Sequence, residues 1–251
     1  MFRSIPPAHV VFVAGATGYT GRFVVEALRK LRIETHAHVR PDSKEIARWQ
    51  DEFGAMGARV DLTPWDQDTM NDRIRTIDPT IVFALLGTTK KRAKLVAAAG
   101  SNRNDETYEK IDYALTLMLL DAVRASGLQP RFVYLSSVGV PAKPSSNAYL
   151  DVRRRVEEQL TTGSVPYTIA RPSFIHGPDR DDARPAETLF AKVTDAAVSF
   201  AGALGAAEVR ERYRSTDGRL LATNLVMVAL DPAAENTTID GSVLRRFDPP
   251  G

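Results

Sequence analysis

One bend near the start of the chain constrains the fold more than any other feature. The segment "HVVFVAGATGYTGRFVVEAL" (9–28) places Gly15, Gly18 and Gly21 between a short apolar run and an amphipathic run. This order predicts a buried strand, then a tight turn, then a helix. Such a helix points its free amides and the positive end of its dipole beyond the carboxyl end of the strand. The bend therefore predicts an anion site of the kind that binds a pyrophosphate.

The rest of the chain repeats this alternation of short apolar runs and longer amphipathic segments. Stretches of helical periodicity separate the runs "ETHAHVR", "ARVDLT", "TIVFALLG", "RFVYLSS" and "PYTIARPSF". Strands spaced in this way predict repeated βαβ units, and hence an α/β fold with a doubly wound (Rossmann) parallel sheet. The alternation weakens after "ARPSFIHG". We therefore expect one domain over 1–251, in which about 178–251 form a small cap or substrate-binding lobe.

Composition narrows the class of ligand. A net charge of +2, with many charges of both signs, indicates a small-molecule ligand and no nucleic acid. The absence of cysteine excludes disulfides, thiolate catalysis and cysteine-ligated zinc. His36 and His38 share one strand face, but no third ligand is near them in sequence, so we expect no metal.

The start of the chain and its apolar runs bear on location. The segment "MFRSIPPAH" lacks an apolar signal core, and no apolar run approaches the roughly 20 residues that span a bilayer. We therefore expect a cytoplasmic protein with no membrane partner.

Each of the three glycines has a role that depends on a missing Cβ. Gly15 permits the tight turn, Gly18 lets the backbone approach phosphate oxygens, and Gly21 lets the helix pack closely on the sheet. The alternative is a structural turn without a ligand. On the first interpretation, the cofactor-binding residues in this bend are Gly15, Thr17, Gly18, Tyr19, Thr20 and Gly21.

The end of the second predicted strand selects the kind of dinucleotide. An acidic residue there would accept a hydrogen bond from a ribose 2′-hydroxyl, whereas this chain has "HVRPDSK", with Arg40 at the strand end and Lys44 one turn further. A guanidinium binds a 2′-phosphate with two parallel hydrogen bonds. We therefore expect NADP(H) as the cofactor in preference to NAD(H). The alternative for Arg40 and Lys44 is a solvated surface pair.

A second group of residues predicts carbonyl chemistry. Ser136 and Ser137 end the fifth predicted strand, and Tyr149 lies early on the next helix with Arg153 four residues later on the same face. In such a site a serine holds a carbonyl oxygen and a tyrosine supplies the proton, while a nearby cation keeps the phenol acidic enough to exchange it. We assign Ser137, Tyr149 and Arg153 as catalytic, with Ser136 as the alternative serine; Ser136, Tyr149 and Arg153 would also contact the cofactor.

These motifs resemble a known superfamily. "GATGYTG", the Ser–Tyr arrangement and "ARPSF" are similar to the atypical short-chain dehydrogenase/reductases. From about Val10 to Leu189 the chain resembles more narrowly the Tat-interacting-protein family of NADP(H)-binding proteins, on the segments "FALLGTTKKRAK", "YEKIDYALTLMLLDAVRASG", "RFVYLSSVG" and "DRDDARPAETL", and "TDGRLLATNLVMVAL" resembles that family's closing helix. The resemblance implies that Arg40 meets the 2′-phosphate and that the cofactor also contacts Gly87, Thr88, Thr89, Pro172, Ser173 and Phe174.

One residue departs from the superfamily pattern. The pattern is Tyr-x-x-x-Lys, whereas this chain reads "YLDVR", with Arg153 in place of the lysine. Arginine can still hydrogen-bond ribose hydroxyls, but it does not readily lose a proton and its planar fork differs in reach from an ammonium. We therefore expect cofactor binding to be kept better than turnover.

Three functions fit this sequence. The leading hypothesis is an NADP(H)-dependent oxidoreductase that transfers hydride to or from a small carbonyl or alcohol. The alternatives are an NADPH-sensing protein that regulates a protein partner without turnover, and a sugar-nucleotide epimerase or dehydratase. The apolar faces of the helices expected at 108–126 and 148–160 could also pair between two subunits of a homodimer.

Overall fold

A seven-stranded parallel sheet organises the protein. The computed structural model describes residues 9–87, 107–177 and 213–247. The strand order is β3-β2-β1-β4-β5-β6-β9, and every neighbouring pair is parallel. The strands of this sheet are β1 (Val10–Ala14), β2 (Glu34–His38), β3 (Arg59–Asp61), β4 (Ile81–Ala84), β5 (Arg131–Leu135), β6 (Tyr167–Arg171) and β9 (Thr237–Asp240). The predicted doubly wound α/β fold is confirmed.

Helices cover both faces of the sheet. The described helices are α1 (Tyr19–Lys30), α2 (Ile46–Ala55), α3 (Gln67–Ile77), α4 (Leu115–Ser126), α5 (Ala148–Thr161), α6 (Gly218–Leu230) and α7 (Gly241–Arg246). A π-helical segment, Tyr108–Ala114, leads directly into α4. One core contains Val24, Trp49 and Leu225 from α1, α2 and α6, and the other contains Met70 and Val156 from α3 and α5. Both faces are buried, as a purely parallel sheet requires.

The last described residues complete the main sheet. Helix α6 packs on α1, and β9 pairs with β6 from Thr168↔Thr237 to Arg171↔Asp240. A short parallel pair, β7 (Ile175–His176) and β8 (Thr216–Asp217), lies outside that sheet. Of the residues from which we expected a cap, 178–212 lie outside the described part of the chain. No helix in the described ranges is long and apolar enough to span a bilayer.

The strand order creates a crevice beside β1. The chain passes from β1 to β2 and β3 on one side, then returns to place β4, β5 and β6 on the other. In open parallel sheets, ligands bind beyond the carboxyl ends of the strands at such a reversal. The fold therefore places the glycine turn that follows β1 at the crevice.

Candidate functional site

An open cleft of about 520 Å³ lies at the carboxyl ends of β1, β2 and β4. It brings together five residues that sequence analysis assigned to a cofactor, and six that it missed. The predicted residues are Gly15, Thr17, Gly18, Arg40 and Gly87; the others are His38, Trp65, Leu85, Leu86, Ile111 and Leu115. The missed residues end β2, follow β3 and β4, or lie where the π-helical segment continues into α4, so only the strand order could have grouped them.

The glycine turn has no room for side chains at two of its positions. Gly15 adopts a φ of +80°, and a Cβ there would lie 2.6 Å from the Leu85 carbonyl oxygen. A Cβ on Gly21 would lie 2.1 Å from the Gly15 carbonyl oxygen. Both contacts are far inside van der Waals distance. The predicted reasons for glycine at these positions, a tight turn and close packing of the helix, agree with this geometry.

The N-terminus of α1 is open to an anion. Gly18 is the N-cap residue, and within the described residues no side chain caps the helix and no acidic residue lies in its first turn. The Gly18 amide itself donates to the Gly15 carbonyl at 3.0 Å. The first amides of a helix lack partners within that helix and carry the positive end of its dipole. A phosphate fits this end of the cleft.

Two residues of the same turn lie elsewhere. The Tyr19 ring packs where Gly177 and Gly218 lack side chains, and its hydroxyl donates to the His176 carbonyl at 3.4 Å. Thr20 is buried. Tyr19 thus joins the glycine turn to β7 and to the start of α6. Its assignment to the cofactor stays a prediction, as does that of Thr20.

A single arginine lines the end of the cleft beside β2. Arg40 follows this strand with its side chain 35% exposed, and its Nε lies 3.6 Å from Asp42 Oδ1. Lys44 is exposed and does not belong to the described lining. A guanidinium that is half-buried beside a cleft is available to a bound anion. Of the two cations that the sequence predicts at the 2′-phosphate, only Arg40 therefore belongs to the described lining of the cleft.

An aromatic cluster forms the wall beside Arg40. His38 is buried, with its ring centroid 5.7 Å from that of Phe12 and 4.8 Å from that of Trp65. His38 Nε2 donates to the Thr63 carbonyl at 2.8 Å. Burial lowers the pKa of His38 below its ordinary value, so the imidazole is neutral at pH 7. The other histidine of this strand, His36, contacts Glu34 Oε1 at 3.4 Å.

The two serines at the end of β5 differ in their surroundings. The Ser136 hydroxyl is buried and donates to Glu157 Oε1, a carboxylate that also receives hydrogen bonds from Arg171. The Ser137 hydroxyl is only half-buried and donates to the Val138 carbonyl at 3.2 Å. The weaker contact leaves Ser137 better able to turn toward a substrate oxygen.

Arg153 is buried beneath Tyr149 and already bonded to the protein. Its Nη1 donates to the Tyr134 hydroxyl at 3.1 Å and to the Leu135 carbonyl, and its Nη2 pairs with Asp112 Oδ1 at 2.8 Å. Burial alone would lower the pKa of this guanidinium, but the fields of Tyr134, Tyr149 and Asp112 outweigh burial and raise the pKa of Arg153. Arg153 is therefore a permanent cation.

Tyr149 stands between Arg153 and a second tyrosine. The Arg153 Cζ lies 5.2 Å from the centroid of the Tyr149 ring, and Tyr108 meets the same ring edge to face at 5.3 Å. Sequence analysis missed Tyr108 and Asp112. The one local signal for Asp112 is a charged residue inside the otherwise apolar pattern "IDYALTLMLL".

The remaining predicted cofactor residues follow β4 and β6. The Pro172 carbonyl accepts a hydrogen bond from the Val138 amide at 2.9 Å, which joins the loops after β6 and β5. The Ser173 hydroxyl donates to the Arg214 carbonyl and accepts from Arg245 at 3.2 Å. Phe174 precedes β7. Thr88 and Thr89 lie outside the described residues, so the structure does not locate them.

Comparisons with known proteins agree with this geometry. Residues 15–200 match the sequence profile of a family described as NAD(P)H-binding. Among curated relatives, a mitochondrial protein of Aspergillus fumigatus, fmp52, is 30% identical over 183 residues, which cover 70% of each chain. The chloroplastic protein TIC 62 of pea is 27% identical over 183 residues, 68% of this chain. This chain spans only a third of the length of that pea protein, 33%.

Solved structures of the same fold include a plant reductase. Leucoanthocyanidin reductase of Vitis vinifera, in binary complex with NADPH, matches with a TM-score of 0.61 at 17% identity. The match covers 91% of this chain and 67% of the reductase. At this identity the likeness concerns the fold alone.

Proposed function

This chain belongs to the NAD(P)H-binding family, and on that premise we propose an NADP(H)-dependent oxidoreductase that acts on a small carbonyl or alcohol. The family resemblance drawn from the sequence is confirmed at the level of NAD(P)H binding. The observation that carries the proposal is the cleft beside β1, where the uncapped start of α1 and the Arg40 guanidinium line one surface. A helix N-terminus suits a pyrophosphate, and a guanidinium suits a further phosphate.

The residues of the cleft fit such a cofactor along its length. The amides that follow Gly18 would hold the pyrophosphate, and the adenosine would extend toward β2, with Arg40 at its 2′-phosphate. The other half would extend past Gly87 toward the ends of β4 and β5. The guanidinium at the end of β2 supports NADP(H) over NAD(H), because the described lining offers no carboxylate to a ribose 2′-hydroxyl there.

The residues beyond Gly87 supply proton chemistry to the reaction. The bound dinucleotide would supply or accept the hydride. The Tyr149 hydroxyl would give a proton to the substrate oxygen during reduction, or take it during oxidation. The Ser137 hydroxyl would hydrogen-bond the same oxygen, and the Arg153 guanidinium would lie beside the Tyr149 ring as a fixed positive charge. The proton then returns to Tyr149 from water, because Arg153 does not readily release one.

A second function is favoured by the contacts of Arg153. Its guanidinium donates hydrogen bonds to Tyr134, Leu135 and Asp112, and it also lies over the rings of Tyr134 and Tyr149. A guanidinium that is fixed by these contacts is better suited to cofactor binding than to the rapid exchange of protons during turnover. The second candidate is therefore an NADPH-sensing protein that binds the cofactor and alters its affinity for a protein partner.

Calorimetric titration with NADPH and NADH tests the cofactor assignment. We expect tight binding of NADPH, weak binding of NADH, and loss of the preference by about tenfold or more in Arg40→Ala, because hydrogen bonds to charged groups contribute about 1.5–3 kcal/mol. Arg59→Ala is the matched control, since Arg59 begins β3, at the end of the strand that points away from the cleft, and pairs with Glu34. Equal binding of both nucleotides, unchanged by Arg40→Ala, would contradict the assignment.

Consumption of bound NADPH separates the two candidate functions. A panel of small carbonyl compounds should contain a substrate that oxidises NADPH at a rate that depends on Tyr149. If no compound does so, while NADPH changes the affinity for a protein partner, the sensing function is correct. The cytoplasmic location, the protein partner and the homodimer remain predictions from the sequence.

A further inference from the structure

We propose that Asp112 is a positioning residue that holds the Arg153 guanidinium for the nicotinamide half of the bound dinucleotide. This inference rests on the proposed binding of NADP(H). It concerns a residue that lies 41 positions from its partner and to which the sequence assigned no role.

The ion pair is fully enclosed by protein. The side chain of Asp112 is 0% exposed and that of Arg153 is 6% exposed, with Nη2 and Oδ1 2.8 Å apart. Removing two charges from water costs as much as their attraction returns, so a buried ion pair is poor evidence for a contribution to stability. The carboxylate instead sets the orientation of Arg153, because it holds one nitrogen of the planar guanidinium at a defined point.

The pair lies directly behind the wall of the cleft. A Cβ added to Gly87 would stand 3.4 Å from Arg153 Nη2 and 3.5 Å from Asp112 Oδ1. Gly87 itself lines the cleft, as do Ile111 and Leu115, which flank Asp112 in sequence. Gly87 therefore connects this ion pair to the lining of the cleft, on the β4 side of β1 and away from Arg40.

The π-helical segment carries the pair's acidic member and a second contact. Tyr108 and Asp112 are four positions apart, as are Tyr149 and Arg153 on α5. Tyr108 meets Tyr149, and Asp112 meets Arg153. Because Ile111 and Leu115 face the cleft from the same stretch, the segment connects a bound dinucleotide with both residues of α5. Short π-helical segments are frequent at functional sites.

Removal of the carboxylate charge gives the primary test. We expect Asp112→Asn to weaken NADPH binding about tenfold or more, because a hydrogen bond to a charged group contributes a free energy of this size. The same variant should bind 2′,5′-ADP, which lacks the nicotinamide half, within about twofold of the unaltered protein. Calorimetric titration of both ligands measures this split, which a general loss of structure would not produce.

A second ion pair with a buried carboxylate provides the control. Asp61 is buried, and it accepts a hydrogen bond from the partly exposed Arg73 on α3. Asp61→Asn removes a buried carboxylate on the other side of β1, so its effects on NADPH and on 2′,5′-ADP should be equal. Thermal melting of both variants checks that each remains folded at the temperature of the titration.

A double variant that shortens the side chain at position 153 and lengthens the one at position 112 provides a rescue experiment. Arg153→Lys shortens the cation, and Asp112→Glu lengthens the carboxylate by one methylene. We expect Arg153→Lys alone to weaken NADPH binding, and the double variant to recover at least half of the loss on a logarithmic scale. Recovery in the double variant would show that the pair acts as a unit.

Each outcome decides the inference. It is overturned if Asp112→Asn binds NADPH within twofold of the unaltered protein, or if this variant loses NADPH and 2′,5′-ADP to the same degree. Failure of the double variant to recover affinity would also count against it. A protein that binds neither ligand before any substitution would overturn the proposed function itself, and this inference with it.

Discussion

The two sides of the crevice are built in different ways. On the side toward β2, where we propose that the adenosine binds and which we call the adenosine side, the cleft offers backbone amides at the start of α1 and the half-buried guanidinium of Arg40. On the side toward β5, where we propose that the nicotinamide binds and which we call the nicotinamide side, polar side chains are already bonded to each other: Ser136 to Glu157, and Arg153 to Asp112. One side is open to a ligand before it arrives, whereas the other is a closed network beside the ligand.

This difference separates binding from reaction. Backbone amides and an arginine beside the cleft contribute to affinity by direct contact with a bound anion. A network of buried polar groups is sensitive to the loss of any member, because each remaining partner stays buried without a hydrogen bond. Substitutions on the adenosine side should therefore change affinity alone. On the nicotinamide side, loss of the Tyr149 hydroxyl should change turnover, and loss of a buried network member such as Asp112 should also weaken binding of the nicotinamide half.

The strongest test of this separation is Tyr149→Phe. We expect turnover to fall about 100- to 10,000-fold, the usual contribution of a positioned acid or base. The dissociation constant for NADPH should stay within about threefold. Tyr167→Phe is the control, because Tyr167 begins β6, at the end of the strand that points away from the cleft. Turnover that survives Tyr149→Phe would remove this tyrosine from the mechanism.

A smaller effect, on stability, is expected in the glycine turn. Gly21→Ala places a Cβ 2.1 Å from the Gly15 carbonyl oxygen, and should lower the free energy of unfolding by about 3 kcal/mol. Gly54→Ala is the control with opposite sign, since nothing lies within 4 Å of its Cβ and Gly54 is inside α2. There alanine should stabilise by about 0.5–1 kcal/mol. Urea denaturation of both variants measures the two changes, and a Gly21→Ala protein as stable as the parent would contradict the packing argument.

Low pH should decrease the free energy of unfolding through the two buried histidines of β2. Burial lowers the pKa values of His36 and His38. In the unfolded chain these two histidines bind a proton near pH 6.5, whereas in the folded protein they do so only at lower pH. Their contribution to the free energy of unfolding is therefore fully present above about pH 6.5 and is lost as the pH falls below it. Each unit of pKa difference contributes about 1.4 kcal/mol.

Urea midpoints at about pH 7.5 and about pH 5.5 measure this loss. His38→Gln keeps a donor for the Thr63 carbonyl and removes the titrating group, so it should reduce the difference between the two midpoints. His176→Gln is the control, because His176 is exposed. A difference that is the same in all three proteins would exclude His38 as a cause.

The smallest effect is expected at Lys44. Its side chain is exposed and outside the described lining of the cleft, so Lys44→Ala should weaken NADPH binding by less than about threefold, and less still at high salt. Titration beside Arg40→Ala compares the two cations directly. A loss as large as that of Arg40→Ala would place Lys44 at the 2′-phosphate, and the adenosine side would then contain two cations.

The sequence predicted the features that local spacing determines. The turn at Gly15, Gly18 and Gly21 lies within seven residues, and the alternation of apolar and amphipathic segments is equally local. Tyr149 and Arg153 share a face because they are one helical turn apart. Each of these depends on the conformation of a single element, which periodicity and glycine chemistry specify.

Contacts between distant elements could not be predicted in this way. Asp112 meets Arg153 across 41 positions, and the side chain of Ser136 turns toward Glu157, 21 positions away. Trp65 lines the cleft because β3 lies two strands from β1 in the sheet, and no sequence motif predicts that position. Such partners are set by strand order and by the rotation of each helix on the sheet, both of which depend on the whole fold.

The pairing of β9 with β6 bears on how the protein is made. Thr168 donates its side-chain hydrogen bond to the Ala234 carbonyl across 66 positions, so β6 leaves the ribosome well before its neighbour exists. Until then the edge of β6 is a row of unpaired amides and carbonyls, open to association with other chains. During synthesis, therefore, the vulnerable interval is the time needed to translate the segment between these two strands.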